Sequence, residues 1–221
     1  PQANPPQPHL ELEPSPMGRF RLSCCAALAL ATCLLAGSAS AQIRINEIYA
    51  NPPGAAEDGL ERVDAVLYTH AHADHIHGID DLRSFNLAAG GRAIPCYGNK
   101  ETIARIRSIF EYIFRVDGRD GWKPNLTTTE VSSAFMVGST AVSAIEVMHG
   151  EAAILGYRIG SFAYLTDCSG IPPESMEKLR GLELLILGAL RHKPHPTHFS
   201  IDEAINASRS IRAKRTIFTH L

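Results

Sequence analysis

Apolar residues gather along this chain in short runs of two kinds, alternating between a strand-like and a helix-like period. Residues 63–69, VDAVLYT, form an apolar run rich in β-branched positions and predict a buried strand. Residues 94–97 predict a second, shorter strand. Residues 99–115 predict a helix, with Ile103, Ile106, Phe110 and Ile113 at helical spacing on one face. Strands are predicted over 140–147, 154–159 and 162–166. Pro172 and Pro173 open a helix that Gly181 closes. Residues 184–187 read as a buried strand. Ser200 caps the next helix, with Glu203 completing a capping box and Ile201, Ala204, Ile205 and Ile211 forming the apolar face. Residues 216–219 predict a last strand. Strands and helices alternate, so residues 60–221 are expected to form one α/β domain.

The first sixty residues follow a different pattern. Residues 1–16, PQANPPQPHLELEPSP, are Pro-rich, show no core period and read as disordered. Residues 17–41 carry each part of a secretory signal peptide: Arg19 and Arg21, an apolar run over 22–36, and Ala39-Ser40-Ala41 before Gln42. The run is too short for a comfortable membrane span. With Met17 as the start, residues 1–16 would be upstream translation. Residues 42–59 are expected to be a linker or fragment holding one strand, 43–49, and then a Pro-Pro-Gly turn. Its INEIYANPP is similar to the opening strand of a lamin-tail-type β-sandwich domain.

Composition adds little until the histidines are counted. The chain is 45% hydrophobic and 20% charged with a net charge of -2, so no surface is built to wrap a polyanion. Of its 10 histidines, four lie between His70 and His77 and three between His192 and His198. Clustered imidazoles point to metal, because neutral imidazole is the commonest protein metal ligand. Cys96 and Cys168 are the cysteines of the body and read as small buried hydrophobes rather than a disulfide framework.

The central motif is Thr69-His70-Ala71-His72-Ala73-Asp74-His75, placed where a buried strand runs out. Carboxyl ends of strands are where α/β folds place their chemistry. His70 and His72 are two apart, so an extended backbone aims both imidazoles the same way. Asp74 and His75 come one turn later and can face a second point nearby. Zinc accepts this His and Asp set, and manganese or iron tolerate it. Three more metal-competent residues stand at the ends of predicted strands: His149, Asp167 and His220.

This order of motifs resembles the metallo-β-lactamase superfamily. THAHADHIHGIDDLR, YGN, LTDCSGIP and HPTHFSIDEA resemble its phosphoribosyl cyclic phosphate phosphodiesterase branch, over residues 60–221. The resemblance implies an αββα sandwich binding two divalent ions, zinc or manganese. It implies that His70, His72 and His149 hold one ion, that Asp74, His75 and His220 hold the other, and that Asp167 bridges them. Asp74 would also orient the attacking water. His198 would be a general acid or phosphate contact near the scissile bond. The substrate implied is a small phosphodiester, with no nucleic-acid partner indicated. Arg83, Arg191 and Lys193 are further phosphate contacts to weigh against surface solvation. Asp80 and Asp81 could orient a ligating imidazole or lie on an exposed face. His77 reads as a neighbour of the ligands or as exposed, and His192 and His195 as part of a solvated Pro-rich loop.

The sequence departs from that family at both ends. Strands the family places before the first motif are missing, and the chain stops one residue past His220. The expectation is a sandwich clipped at both ends by fusion or truncation. Two alternatives stay open: thioester or lactone hydrolysis on the same fold, and an inactive remnant. The signal-like segment argues for export and the family resemblance for the cytoplasm.

Overall fold

The computed structural model describes residues 43–45, 62–116 and 123–221. The expected Pro-rich, signal-like and upstream segments lie outside the described residues, as does most of the 42–59 linker.

Two sheets lie face to face with helices outside them. The first holds β1 (Ile43–Ile45), β2 (Ala65–Leu67), β3 (Ile94–Gly98) and β4 (Leu126–Glu130) in that order, all parallel. The second runs β10 (Arg215–Thr219), β9 (Leu184–Gly188), β8 (Phe162–Leu165), β7 (Ala152–Ile159), β6 (Thr140–His149), β5 (Ala134–Val137). Over the first sheet lie α1 (Ala73–Ile76), a 3-10 turn (His77–Asp81), α2 (Leu82–Ala88), α3 (Lys100–Ile109) and α4 (Glu111–Phe114). Over the second lie α5 (Pro173–Lys178) and α6 (Ile201–Ile211). This is the αββα sandwich that the motifs imply.

Strand parity sorts side chains between layers, because successive residues point to opposite faces. In β9, Leu185 and Leu187 pack towards α5 and α6, while Ile186 packs between the sheets. In β2, Val66 faces the helices, and Ala65 and Leu67 face the second sheet. Each burial of a large aliphatic side chain contributes about 1.5–3 kcal/mol of transfer free energy.

Three features differ from the pattern-based expectations. The helix predicted over 99–115 breaks at Phe110, whose φ of -106° and ψ of 41° leave the helical region. Residues 43–45 pair parallel with β2 rather than lying in a linker outside the domain. Strands β4 and β5 and helix α2 go beyond the predicted elements. In β4, LTTTE is half-buried or exposed throughout, so no apolar alternation marks it.

The topology fixes where the chemistry sits. β6 is antiparallel to β7, and β7 to β8, so β6 and β8 run the same way; β9 and β10 are parallel to β8. The carboxyl ends of β6, β8, β9 and β10 therefore meet at one pole. The strand β2 is brought there too: the Leu155 amide donates to the Thr69 carbonyl at 3.0 Å, and the Tyr157 hydroxyl to the Tyr68 carbonyl at 2.8 Å.

Candidate metal centre

Just past β2, Thr69 Oγ1 lies 3.1 Å from His70 Nδ1 and holds that ring, leaving Nε2 pointed at the pole. His70 Nε2 lies 3.0 Å from His72 Nδ1. His75 follows on α1, buried, with Nε2 3.2 Å from Asp167 Oδ2 and 3.3 Å from Asp74 Oδ2. Asp74 itself is largely exposed, with 58% of its side chain open to solvent.

Asp167, just past the end of β8, is the hub. Its Oδ2 lies 3.2 Å from His75 Nε2, 3.3 Å from His198 Nε2 and 3.7 Å from His70 Nε2. Its Oδ1 accepts from Thr166 Oγ1 at 2.6 Å and lies 3.7 Å from His220 Nδ1. Its backbone carbonyl lies 2.6 Å from His149 Nδ1. A carbonyl only accepts, so that contact places the proton on Nδ1 and leaves the Nε2 lone pair free for a metal.

Two site residues hold a backbone that L side chains rarely adopt. Asp167 has φ 53° and His220 φ 62°; with Arg212 they are the non-glycine residues of positive φ among those described. Such conformers cost on the order of 1–3 kcal/mol and persist where the surroundings over-determine them. Gly150 (φ 61°) serves the same pole. A Cβ there would meet Thr197 Cγ2 at 2.9 Å, so glycine lets the 191–199 loop close onto the β6–β7 turn.

Electrostatics follow from crowding bases around one buried carboxylate. Burial pushes the Asp167 carboxyl upward, but hydrogen bonds from His75 and Thr166 and the charges of His75 and His220 outweigh it, and the group ionises well below its usual range. Burial, then the neighbouring His75, lower the His70 pKa to about 3, so this imidazole stays neutral. Burial also lowers that of His198, against the opposing pull of Asp167.

Sets of residues offer ligand atoms within 4.8 Å of one another: His70, His75 and Asp167; His149, Asp167 and His198; Asp74, Asp167 and His220. Asp167 belongs to each. The donor set fits divalent metal. It is made of neutral imidazole nitrogens and carboxylate oxygens, and the facing pair His70 Nε2 and His72 Nδ1 has two lone pairs to share at most one proton. The structure thus brings together all seven residues expected as ligands, and His198 with them.

Other residues fall differently. His192 is exposed, as expected, but His195 is half-buried, with Nδ1 3.1 Å from His198 Nδ1 and 3.2 Å from Thr197 Oγ1. Thr197 Oγ1 also lies 2.8 Å from His198 Nδ1. Sequence spacing shows no sign of this, because the loop carries no periodic element. Asp80 orients no imidazole: it accepts from the Tyr112 hydroxyl at 2.5 Å. Asp81 stands at the N-cap position of α2, where its side chain makes no cap hydrogen bond. His77 is exposed beside Phe110. The Arg191 guanidinium is spent on the carbonyls of Lys193 and Pro194. Cys96 and Cys168 are free and buried, as expected of small hydrophobes.

Comparison with known proteins agrees with this geometry. Residues 38–221 match the family of the β-lactamase superfamily domain. A diphosphatase from the PhnP family superposes with a TM-score of 0.70 at 40% identity, over 80% of this chain and 67% of that one. Zn(2+)-bound PqqB from Methylobacterium extorquens superposes with a TM-score of 0.59 at 17% identity, over 93% of this chain and 84% of that one, a likeness of fold alone. An octanoyltransferase of Porphyromonas gingivalis is 37% identical over 166 residues, which are 74% of this chain and 33% of that protein. The chain thus spans about a third of that relative's length. With a family match over residues 38–221 and a metallo-β-lactamase-type pole of histidines and aspartates, the chain belongs to the β-lactamase superfamily and has the metallo-β-lactamase fold.

Proposed function

We propose that this protein is a hydrolase, a dinuclear metal-dependent phosphodiesterase acting on small phosphodiesters, cyclic ones among them. The observation that carries the reading is the position of Asp167: one ionised carboxylate shared by groups of ligand atoms on both sides of it. His70, His72 and His149 would hold one ion, Asp74, His75 and His220 the other, and Asp167 would bridge. When bound, a pair of zinc or manganese ions supplies Lewis acidity to the phosphoryl oxygens and acidifies water to near-neutral pKa.

The rest falls to the chain's own side chains. Asp74, exposed at the rim, accepts a hydrogen bond from the attacking water and orients it. His198 Nε2 faces the centre and delivers a proton to the leaving alkoxide. Thr197 Oγ1 and His195 Nδ1 lie against Nδ1 on the other edge of that ring and hold it in place. The 40% identity to a diphosphatase supports phosphoryl over acyl substrates. The octanoyltransferase relative supports an acyl reading less, since about two-thirds of it lies outside the match.

The test is metal content and hydrolysis measured on the same purified chain. About two transition-metal ions per chain with turnover of bis(p-nitrophenyl) phosphate is the expected result. Turnover of a thioester or lactone in place of the phosphodiester would replace this reading with acyl hydrolysis. No retained metal after supplying zinc or manganese would leave an inactive remnant.

A further inference from the structure

The seam between the two sheets opens at the pole opposite the metals, the pole that takes no part in hydrolysis. A cavity of about 420 Å³ lies there, within the roughly 300–1,000 Å³ of typical ligand pockets. It is bounded by the segments that lead into β2 and β3 and by the turn from β5 to β6. A Cβ built on Gly138, at that turn, would meet nothing within 4 Å, so the mouth is open.

One carboxylate organises the charged side of the cavity. Asp64, with 15% of its side chain exposed, accepts at Oδ2 from Arg62 Nε at 3.2 Å and at Oδ1 from Arg92 Nη2 at 2.8 Å. Arg62 Nη2 lies 3.0 Å from the same Oδ2. Two guanidiniums thus share a single carboxylate, and the lining keeps one positive charge in excess. Arg62 Nη1 and Arg92 Nε and Nη1 meet no acceptor among the described residues. Exposed ion pairs add little stability, so stability does not account for gathering two arginines on one aspartate. What the arrangement does is anchor each fork from one side, which aims the remaining donors before a ligand arrives.

The facing side is apolar and carries Pro95, Tyr97 and Val137. Tyr97 stacks on Phe135, with ring centroids 4.8 Å apart and planes 26° from parallel, which holds its ring in place. The hydroxyls of Tyr97 and Ser139 bond to no described residue, and each can donate or accept. A flat apolar body fits against this wall, with an anionic head on the guanidiniums. A carboxylate matches both the fork and the single excess charge, whereas a phosphate dianion would overshoot that charge.

We infer that this cavity is a second ligand site, separate from the metal centre, and that it takes a small aromatic monocarboxylate. Arg62 and Arg92 hold the carboxylate, and Pro95 and Val137 pack on the ring. Nothing in this site depends on the reaction at the metals.

The test is a titration of the zinc-loaded full chain with benzoate, followed in proton–nitrogen NMR spectra, with neutral benzamide as control. Benzoate should reach half-saturation at about 1 mM or below. The amides of Ala93, Gly138 and Ser139 should move, and those of His72 and His149 should stay. Benzamide should bind about tenfold more weakly, and Arg92→Gln should weaken benzoate by about the same factor, since each change removes one charge-assisted contact. An otherwise unchanged spectrum reports that this variant is folded. Ser139→Trp, which places bulk at the mouth, should block binding with both arginines intact. Shifts centred on His72 and His149 would mean that the carboxylate has gone to the zinc, and would overturn the inference. So would a titration without saturation, equal binding of benzamide, or an affinity unchanged in Arg92→Gln.

Discussion

The two histidine-rich loops at the metal pole are held by different means. The first, 69–76, leaves β2 and runs directly into α1, so regular structure at each end aims His70 and His75, and both are buried. The second, 189–199, belongs to no element. It is strapped by tertiary contacts: Leu190 to the Phe199 carbonyl, Phe199 to the Cys168 carbonyl, Arg191 to its own loop, and Thr197 against Gly150. The first loop carries residues that would define the metals. The second presents His198 over them. Geometry set by local structure is written in spacing, and geometry set by strapping is written in residues far apart in sequence.

Substitutions can break this contrast. The largest effect should come at the hub both loops touch. Asp167→Asn keeps the size and tolerates the left-handed backbone but removes the charge. It should lose bound metal and lower turnover by more than the roughly 10–100-fold typical of an outer-shell partner, read by elemental content and phosphodiester hydrolysis. His198→Ala comes next. Turnover should fall by about 10²-fold with metal content intact. Loss of metal in parallel would mean that this residue is a ligand rather than an acid, as its spacing to His149 and Asp167 allows.

Gly150→Ala tests chiefly the strapping, with unchanged metal content as the check that its neighbour His149 has not moved. It introduces a Cβ 2.9 Å from Thr197 Cγ2 at a positive φ, and should cost about 1–2 kcal/mol in thermal or denaturant unfolding. Its effect on activity should resemble a milder His198→Ala, because the second loop moves while the first stays. The smallest effect is acid sensitivity of the metal-free protein. The His70 pKa is about 3 when folded against 6.5 unfolded, so between those values the unfolded chain binds more protons. Stability is full above pH 6.5 and declines as pH falls, by about 1 kcal/mol over the first unit. Asp167, also depressed on folding, adds loss in the same direction below its ordinary value. A metal-free melting temperature flat from pH 7 to 5 would contradict the crowding of bases at the centre.

What was legible in the sequence follows the same division. The HxHxDH run after a buried strand, and His149, Asp167 and His220 at strand ends, stand out because burial forces apolar periodicity up to the residue where chemistry begins. β4 was illegible because an edge strand with Thr127 and Thr129 exposed buries too little to leave a pattern. The break at Phe110 escaped because Ile103, Ile106 and Ile113 all reach the core on both sides of it. His195 escaped because its role depends on one cross-loop approach. Residues 43–45 add to a sheet edge through backbone pairing, which composition does not record.

The shared direction of β6, β8, β9 and β10 also divides the surface into a working pole and an idle one. The turns at Gly138–Ser139 and Gly160–Ser161, and the joins into β9 and β10, all lie at the idle pole. The chain can lengthen, shorten or be re-cut there without passing near Asp167. Loops at such a site accept insertions at modest entropic cost. An insertion placed there would therefore leave the side chains of the metal pole where they stand.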